Sequence, residues 1–451
     1  MPLFRLPINR WLAYLLYLAG FLLLVVLATL TTVDWTPYRE KSYYKKTMAA
    51  LDSLSVQGAD QGFLLGGWAS ANMTPEEPVP LVAYRPRGNY EFVQDSSFVK
   101  AMVVGNGDFT LAFLNYELLL VHPKLATALQ KEIEAQEIPV DRVYFTATHT
   151  HSGMGGTIPG PIGSLALGGW NQPLVDRIAA GTVQALRGAI TRMDTVRLSY
   201  KKSNAGNFVS NRLVAGDPVD PFIRQFSLEN TAGKRASLVT FSAHATCLSS
   251  RFMGLSGDYP FYFSKGLEAK QELVLFAAGA VGSHRPTIPG NDIENVRKYA
   301  AELGTIVTET PEGSSGEQTE TTLIAAKLPL YLREPHYRIS NDWRIRPWLF
   351  DWAIGDYPAH FDLVKIGNTL FISSSGEVSG VFYESWEKKA AALGMNLMIT
   401  TFNGGYIGYI TPDEYYKESY YEVRDMNFYG PYNGAYFNEV IGKLIDLGAG
   451  L

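Results

Sequence analysis

Residues 142–156 read RVYFTATHTHSGMGG. A β-like apolar run gives way to small residues, then to His149 and His151, then to glycines that let the backbone pass close to a ligand. The chain has seven histidines in 451 residues, and two of them stand here, two positions apart. Four other runs end in the same manner. ASLVTFSA (236–243) leads into His244, and ELVLFAAGAVG (272–282) into Ser283 and His284. TLFISSSG (369–376) leads into Glu377, and NLMITTFNGG (396–405) into Tyr406 and Tyr409. In α/β sheets, sites gather outside the carboxyl ends of strands, so five such endings point to one site on an α/β, mixed-sheet catalytic domain. Helical patterns lie between the runs, at 124–136, 172–190, 260–270, 292–309 and 434–446. No internal repeat is present, and PEGSSGEQTE (311–320) reads as a polar loop.

Composition narrows the class. A net charge of −5 offers no basic footprint for nucleic acid. The single cysteine, Cys247, excludes a disulfide within the chain and any cysteine-based zinc or redox motif. The amino terminus is distinct. A short basic tail (1–10) precedes an uncharged apolar stretch (11–33), long enough to cross ~30 Å of hydrocarbon as a helix. TLTTVDW is a poor cleavage site, so the stretch is expected to be an uncleaved transmembrane anchor. Arg5 and Arg10 before it are balanced by Arg39, Lys41, Lys45 and Lys46 after it, so charge does not set its orientation. Residues 34–60 read as a linker and a juxtamembrane amphipathic helix, and 61–451 as the globular domain.

Residues two apart in an extended run point the same way, so His149 and His151 face one cavity if the strand conformation persists. Neutral imidazole is the commonest metal ligand and suits zinc. Taken singly, each candidate has a plainer reading: His244 as a core histidine, Glu377 as an acid at a helix N-terminus, Tyr409 and Tyr421 as packing aromatics, Arg212 as half of a surface salt bridge. Together they supply imidazoles, a carboxylate and a phenol, the donor set of a catalytic zinc with an open position.

The motifs resemble those of the neutral (non-lysosomal) ceramidases, in that family's order: TATHTHSGMGG, NRLVAGD, SAHATCLSS with SGDYP, SGEVSG, and YIGYITPDEYYKESYYEVRDMNFYGPY. The resemblance runs through scattered blocks between about residues 62 and 446. It implies one Zn2+ per chain, held by His149, His244, Glu377 and Tyr409, with His151, Arg212 and Tyr421 around the substrate amide. The implied reaction is hydrolysis of an N-acylsphingosine by metal-activated water, giving a fatty acid and sphingosine. One block departs from the pattern. The family carries a Gly-Asp/Asn-x-Ser-Pro-Asn motif with an active-site serine; here Ala280 stands at the acidic position, and Ser283, one place late, is the hydroxyl left to fill that role. The family's larger members continue into an immunoglobulin-like domain, and none is expected after Leu451 here. The expectation is a membrane-anchored amidohydrolase of ceramide-like lipids, with its catalytic domain in the periplasm or outside the cell. Alternatives are a zinc hydrolase of another N-acyl or ester substrate, and an inactive lipid-binding homologue. DWRIRPWLFDWAIGDYP (342–358), rich in Trp and Arg, reads as a packed interface helix or a membrane-dipping loop.

Overall fold

All five apolar runs are strands, and in the computed structural model they are distributed over two mixed sheets. Residues 10–59, 62–84, 86–311 and 321–451 are described; the tail 1–9 and residues 312–320 of the expected polar loop lie outside them. The large sheet has eight strands in the order Leu273–Ala278, Arg235–Phe241, Phe222–Asn230, Asp194–Asn204, Leu65–Asn72, Phe98–Gly105, Thr110–Tyr116 and Arg142–Ala147. The small sheet has five: Val56–Ala59, Leu323–Leu330, Ala359–Ile366, Thr369–Ser374 and Asn396–Thr401. Neighbours are antiparallel except at three places, and each of the three involves the apolar runs that end in reactive residues. Arg142–Ala147 runs parallel to Thr110–Tyr116, Arg235–Phe241 to Leu273–Ala278, and Thr369–Ser374 to Asn396–Thr401.

The sheets share an apolar layer in which Phe113, Tyr144, Phe226, Phe371 and Met398 meet. Phe371 of the small sheet packs on Phe113 and Phe226 of the large one with ring centroids 5.2 and 5.1 Å apart, in the range aromatic pairs prefer. The strands of the parallel pairs are buried along almost their whole length, which is why they read as continuous apolar runs rather than alternating ones. Helices cover the outer faces. Gln172–Thr191 packs on Leu65–Asn72 and Phe98–Gly105, and starts where the Asn171 side chain accepts from the Leu174 amide, with a proline in the first turn. Asp258–Leu267 and Ile293–Glu309 pack together beside the large sheet, and Tyr383–Ala392 and Asn433–Gly450 beside the small one.

The amino-terminal helix spans Arg10–Thr29 and is exposed along its length. It is apolar and, at 20 residues, long enough to cross a membrane, as a span or a signal sequence is. The helix stops four residues short of the expected end of the anchor. The β-branched Thr31, Thr32 and Val33 leave the helix, and Leu30–Thr32 pairs with Trp343–Ile345 as a two-stranded ribbon. The segment read as a linker is packed against the body: Asp34 pairs with Arg333 at 2.7 Å, and Trp35 sets its ring edge-on to Tyr416. The amphipathic helix is Ser42–Asp52.

Candidate metal centre

The strand Arg142–Ala147 ends two residues before His149, and there the chain turns: His149 has φ 63°, in the left-handed region. The extended conformation therefore does not carry through to His151, and alternation is not what unites the two rings. They meet at 4.8 Å because the turn folds one against the other. A non-glycine residue in this conformation is held there by its surroundings. The His149 amide donates to the Leu118 carbonyl at 3.0 Å, and its ring stacks on Phe402 at 4.2 Å. The loop after Arg235–Phe241 is stitched alongside, since the His151 amide donates to Ala245 O at 3.2 Å.

Glu377 and Tyr409 arrive as partners. Glu377–Val378 and Tyr409–Ile410 form a parallel ribbon in which these two residues stand in register, beyond the parallel pair Thr369–Ser374 and Asn396–Thr401. Gly282 permits this approach: a Cβ there would lie 2.2 Å from the Glu377 carbonyl oxygen.

The side chains converge. Nε2 of His244 lies 3.2 Å from Glu377 Oε2 and 3.1 Å from the Tyr409 hydroxyl; Nε2 of His149 lies 3.5 Å from the same carboxylate oxygen. His149, His151 and His244 bring ligand atoms within 4.8 Å of one another, the one group of three candidate metal ligands among the described residues. Both inner imidazoles have a fixed tautomer. Nδ1 of His149 is 2.7 Å from Leu119 O and Nδ1 of His244 is 3.0 Å from His284 O; a carbonyl only accepts, so each Nδ1 carries its hydrogen. In the neutral rings, Nε2 then presents a lone pair. Those lone pairs point at a buried carboxylate whose Oε2 has no hydrogen-bond donor. His151 Nε2 also approaches the His149 lone pair at 3.2 Å and Arg212 Nη2 that of His244 at 3.2 Å, but the donor-less carboxylate oxygen between the two buried rings fits a cation there, and imidazoles oriented through Nδ1 by backbone carbonyls are the usual support for one.

The electrostatics agree. Burial, with the nearby Arg212 charge, holds His244 down to about 3, so it stays neutral. Burial also holds His151 well below the ordinary imidazole value. Burial raises the Glu377 carboxyl, and only positive charge beside it outweighs that and brings it well below its usual value; with the imidazoles neutral, a cation in the cluster is what would supply that charge. Burial, then the Glu377 charge, pushes the Tyr409 phenol well up, a direction a bound cation reverses.

Arg212 borders this group. Its Nη2 donates to the Tyr409 hydroxyl at 3.0 Å and lies 3.2 Å from His244 Nε2, while Nε pairs with Glu422 at 2.7 Å. Tyr421 opens a single π-helical turn, Tyr421–Asp425, and stands half-exposed with its ring 6.2 Å from that of Tyr409. Ser283 is not brought to the cluster by any bond. Its buried hydroxyl is engaged with Ser379 at 2.6 Å and His284 Nδ1 at 2.9 Å, and only its carbonyl touches the site, accepting from the Arg212 amide. His284 is buried behind the site, where its Nε2 accepts from the Asp220 amide, and Arg285 is exposed. Two residues that motif reading passed over, Glu422 and Tyr84, join the group, as does Tyr406 at the end of the NLMITTFNGG run. Glu422 holds Arg212, Tyr406 donates to Glu377 Oε1 at 3.3 Å, and Tyr84 packs on His151 at 5.3 Å. Glu422 lies inside the tyrosine-rich block, and that location was the available signal.

No protein-family model matches the chain, and no curated protein matches it in sequence. Its fold is that of the neutral ceramidases. It superposes on the neutral ceramidase of Pseudomonas aeruginosa with a TM-score of 0.70 at 18% identity, covering 86% of this chain and 75% of that one. A structure described as ceramidase complexed with C2 matches with the same TM-score and identity, covering 85% and 75%.

Proposed function

We propose that the chain is a zinc-dependent amidohydrolase of ceramide-like lipids, anchored in a membrane by its amino-terminal helix, with the catalytic body (residues 61–451) in the periplasm or outside the cell. The observation that carries this reading is the pair of carbonyl-oriented imidazoles presenting Nε2 lone pairs to the donor-less oxygen of Glu377. The fold likeness to ceramidases supports the substrate class. His149, His244, Glu377 and Tyr409 are assigned as ligands of one zinc ion. When bound, zinc supplies Lewis acidity and a strong nucleophile at neutral pH.

The remaining side chains divide the other tasks. Arg212, held by Glu422, aims a guanidinium N–H where an amide carbonyl gathers negative charge; a preorganised donor of that kind is worth ~10²–10³ in rate. His151 differs from the other two imidazoles in having a buried Nδ1 with no partner. With Nε2 against His149 Nε2 at 3.2 Å, that Nδ1 is free to take a proton from the attacking water and pass it to the departing amine, where the tethered pair is not. Tyr421, with its hydroxyl at the mouth, positions the lipid head. Tyr406 steadies the carboxylate through Oε1.

The test uses the full chain in detergent: bound metal is quantified and a fluorescent ceramide assayed on one preparation, beside His149→Ala. One zinc per chain with cleavage, both lost in the variant, is expected. Absence of metal overturns the mechanism. Zinc without cleavage moves the substrate to another N-acyl lipid or an ester, a second reading favoured by the engagement of the Ser283 hydroxyl with Ser379 and His284.

A further inference from the structure

The end of the amino-terminal helix is held by the Trp- and Arg-rich segment 342–358 that the motifs left unassigned. The carbonyls of Leu27, Ala28 and Thr29 receive Arg346 Nε at 2.8 Å, Trp348 Nε1 at 2.9 Å and the Arg346 amide at 2.7 Å. The ribbon of Leu30–Thr32 with Trp343–Ile345 continues the seam, and the Val33 amide closes it on Asp342 O at 2.9 Å. The helix is thus fixed to the body rather than strung from it.

This fixes a depth. A 20-residue helix spans ~30 Å, the thickness of bilayer hydrocarbon, so its last carbonyls lie where hydrocarbon meets headgroups. Trp348, bonded to Ala28 O, lies at that level and is 54% exposed. Beside it Trp343 and Trp352 are exposed, the latter at 64%. The short helix Pro347–Ala353 packs against Gly160–Ala166, which presents Ile162 and Leu165, the latter 70% exposed. Tryptophan is the residue enriched at the membrane–water boundary.

The platform also joins the site's two walls. Gly160–Ala166 comes directly after the loop that carries His149 and His151. On the other side Tyr337 donates to Asp425 at 2.9 Å and Arg338 to Val423 O at 3.2 Å, gripping the π-helical turn that carries Tyr421.

We propose that Trp343, Trp348, Trp352, Ile162 and Leu165 form a platform seated in the headgroup layer of the bilayer that the amino-terminal helix enters, so that a lipid substrate reaches the metal centre without leaving the membrane. The proposal rests on reading the helix as a span. Its test is independent of the chemistry.

The full chain carrying Leu165→Cys or Trp352→Cys is labelled with an environment-sensitive fluorophore in phosphatidylcholine vesicles, some with nitroxide lipids. Cys247 is buried, and unsubstituted protein sets its background. Lys234→Cys is the control. It lies in the turn before Arg235–Phe241, whose other end leads to His244, so that strand separates it from the site by ~20 Å. Strong quenching at 165 and 352 by nitroxides near the headgroup, with none at 234, is expected. A protein that stays with the vesicles through alkaline wash but shows no quenching at 165 and 352 overturns the platform and leaves the anchor standing. Blue-shifted labels without lipid quenching mean a second copy covers the face, which also overturns it. A protein that does not hold to vesicles removes the span and the platform together. In ceramide assays Leu165→Ser/Trp352→Ser raises the apparent KM about tenfold for bilayer substrate and leaves a micellar short-chain substrate unchanged, the pattern expected for lost apolar seating.

Discussion

Glu377→Gln in the metal-free protein tests the facing lone pairs directly, because the expected sign is unusual. Removing a carboxylate from a buried cluster ordinarily destabilises. Here Oε2 is buried without a donor, 3.2 and 3.5 Å from two Nε2 atoms whose hydrogens sit on Nδ1. An unsatisfied buried acceptor costs about 1–3 kcal/mol, more when charged, and the glutamine amide can donate to one of those lone pairs, returning about 1 kcal/mol. Chelator-treated Glu377→Gln is therefore expected to unfold later in urea than chelator-treated wild type, by about 2–4 kcal/mol. The comparison belongs near about pH 8.5, two units above the ordinary imidazole value. Adding zinc closes or reverses the gap. A ligand at a thousandfold over its Kd stabilises by about 4 kcal/mol, and the variant, lacking one ligand, gains much less. If Glu377→Gln is the weaker protein with and without zinc, the carboxylate is already satisfied and the cluster is an ion pair, not a metal cradle.

Arg212→Met is expected to lower kcat ~10²–10³-fold with zinc retained, and to lower stability by stranding Glu422. Adding Glu422→Gln restores the melting temperature but not kcat; a kcat within about threefold of wild type removes Arg212 from the reaction. Arg224, 1% exposed, donates to both oxygens of Asp220 at 2.9 Å and reaches Glu387 at 3.0 Å; Glu387 keeps Lys202 at 3.2 Å, but Arg224→Met leaves the buried Asp220 without a counter-charge and costs about 3–5 kcal/mol in urea unfolding. His122 and His336 are held down by burial to about 4 and about 3, below their unfolded value of 6.5. The unfolded chain takes up those protons first, so the stability they contribute is full above pH 6.5 and is lost as pH falls toward 4 and 3. For His122 the full effect is about 3 kcal/mol. His122→Asn keeps an acceptor for the Lys124 amide, cannot titrate, and is expected to flatten that part of the profile.

The parts of this molecule that were legible are those whose signal is local. Each strand ending in a reactive residue appears as an unbroken apolar run because the opposite sheet covers one face and helices the other. The helical stretches carried their own caps, as at Asn171 and Asp292. Contacts made across hundreds of residues left no such trace. His149 and His151 meet through a left-handed turn, whereas period-two alternation had suggested a shared strand face. Glu377 suited a helix start, but the cap of the next helical turn is Ser379, and the acid lies in a ribbon whose partner is Tyr409.

The seam at the amino terminus was hidden for a different reason. Hydropathy describes a span by what it excludes, and from that alone residues 30–33 belong to the anchor and residues 34–41 look like tether. The polar groups at a helix's end must still find partners. Here Leu27, Ala28 and Thr29 find them on Arg346 and Trp348, more than 300 positions away, as the separations of 319 and 320 residues show. An Arg and a Trp in an irregular segment are unremarkable in sequence. Once they are seen to close the helix end, a tether becomes a rigid mount, and for a helix that enters a bilayer the height of the histidine cluster above it would be a property of the fold.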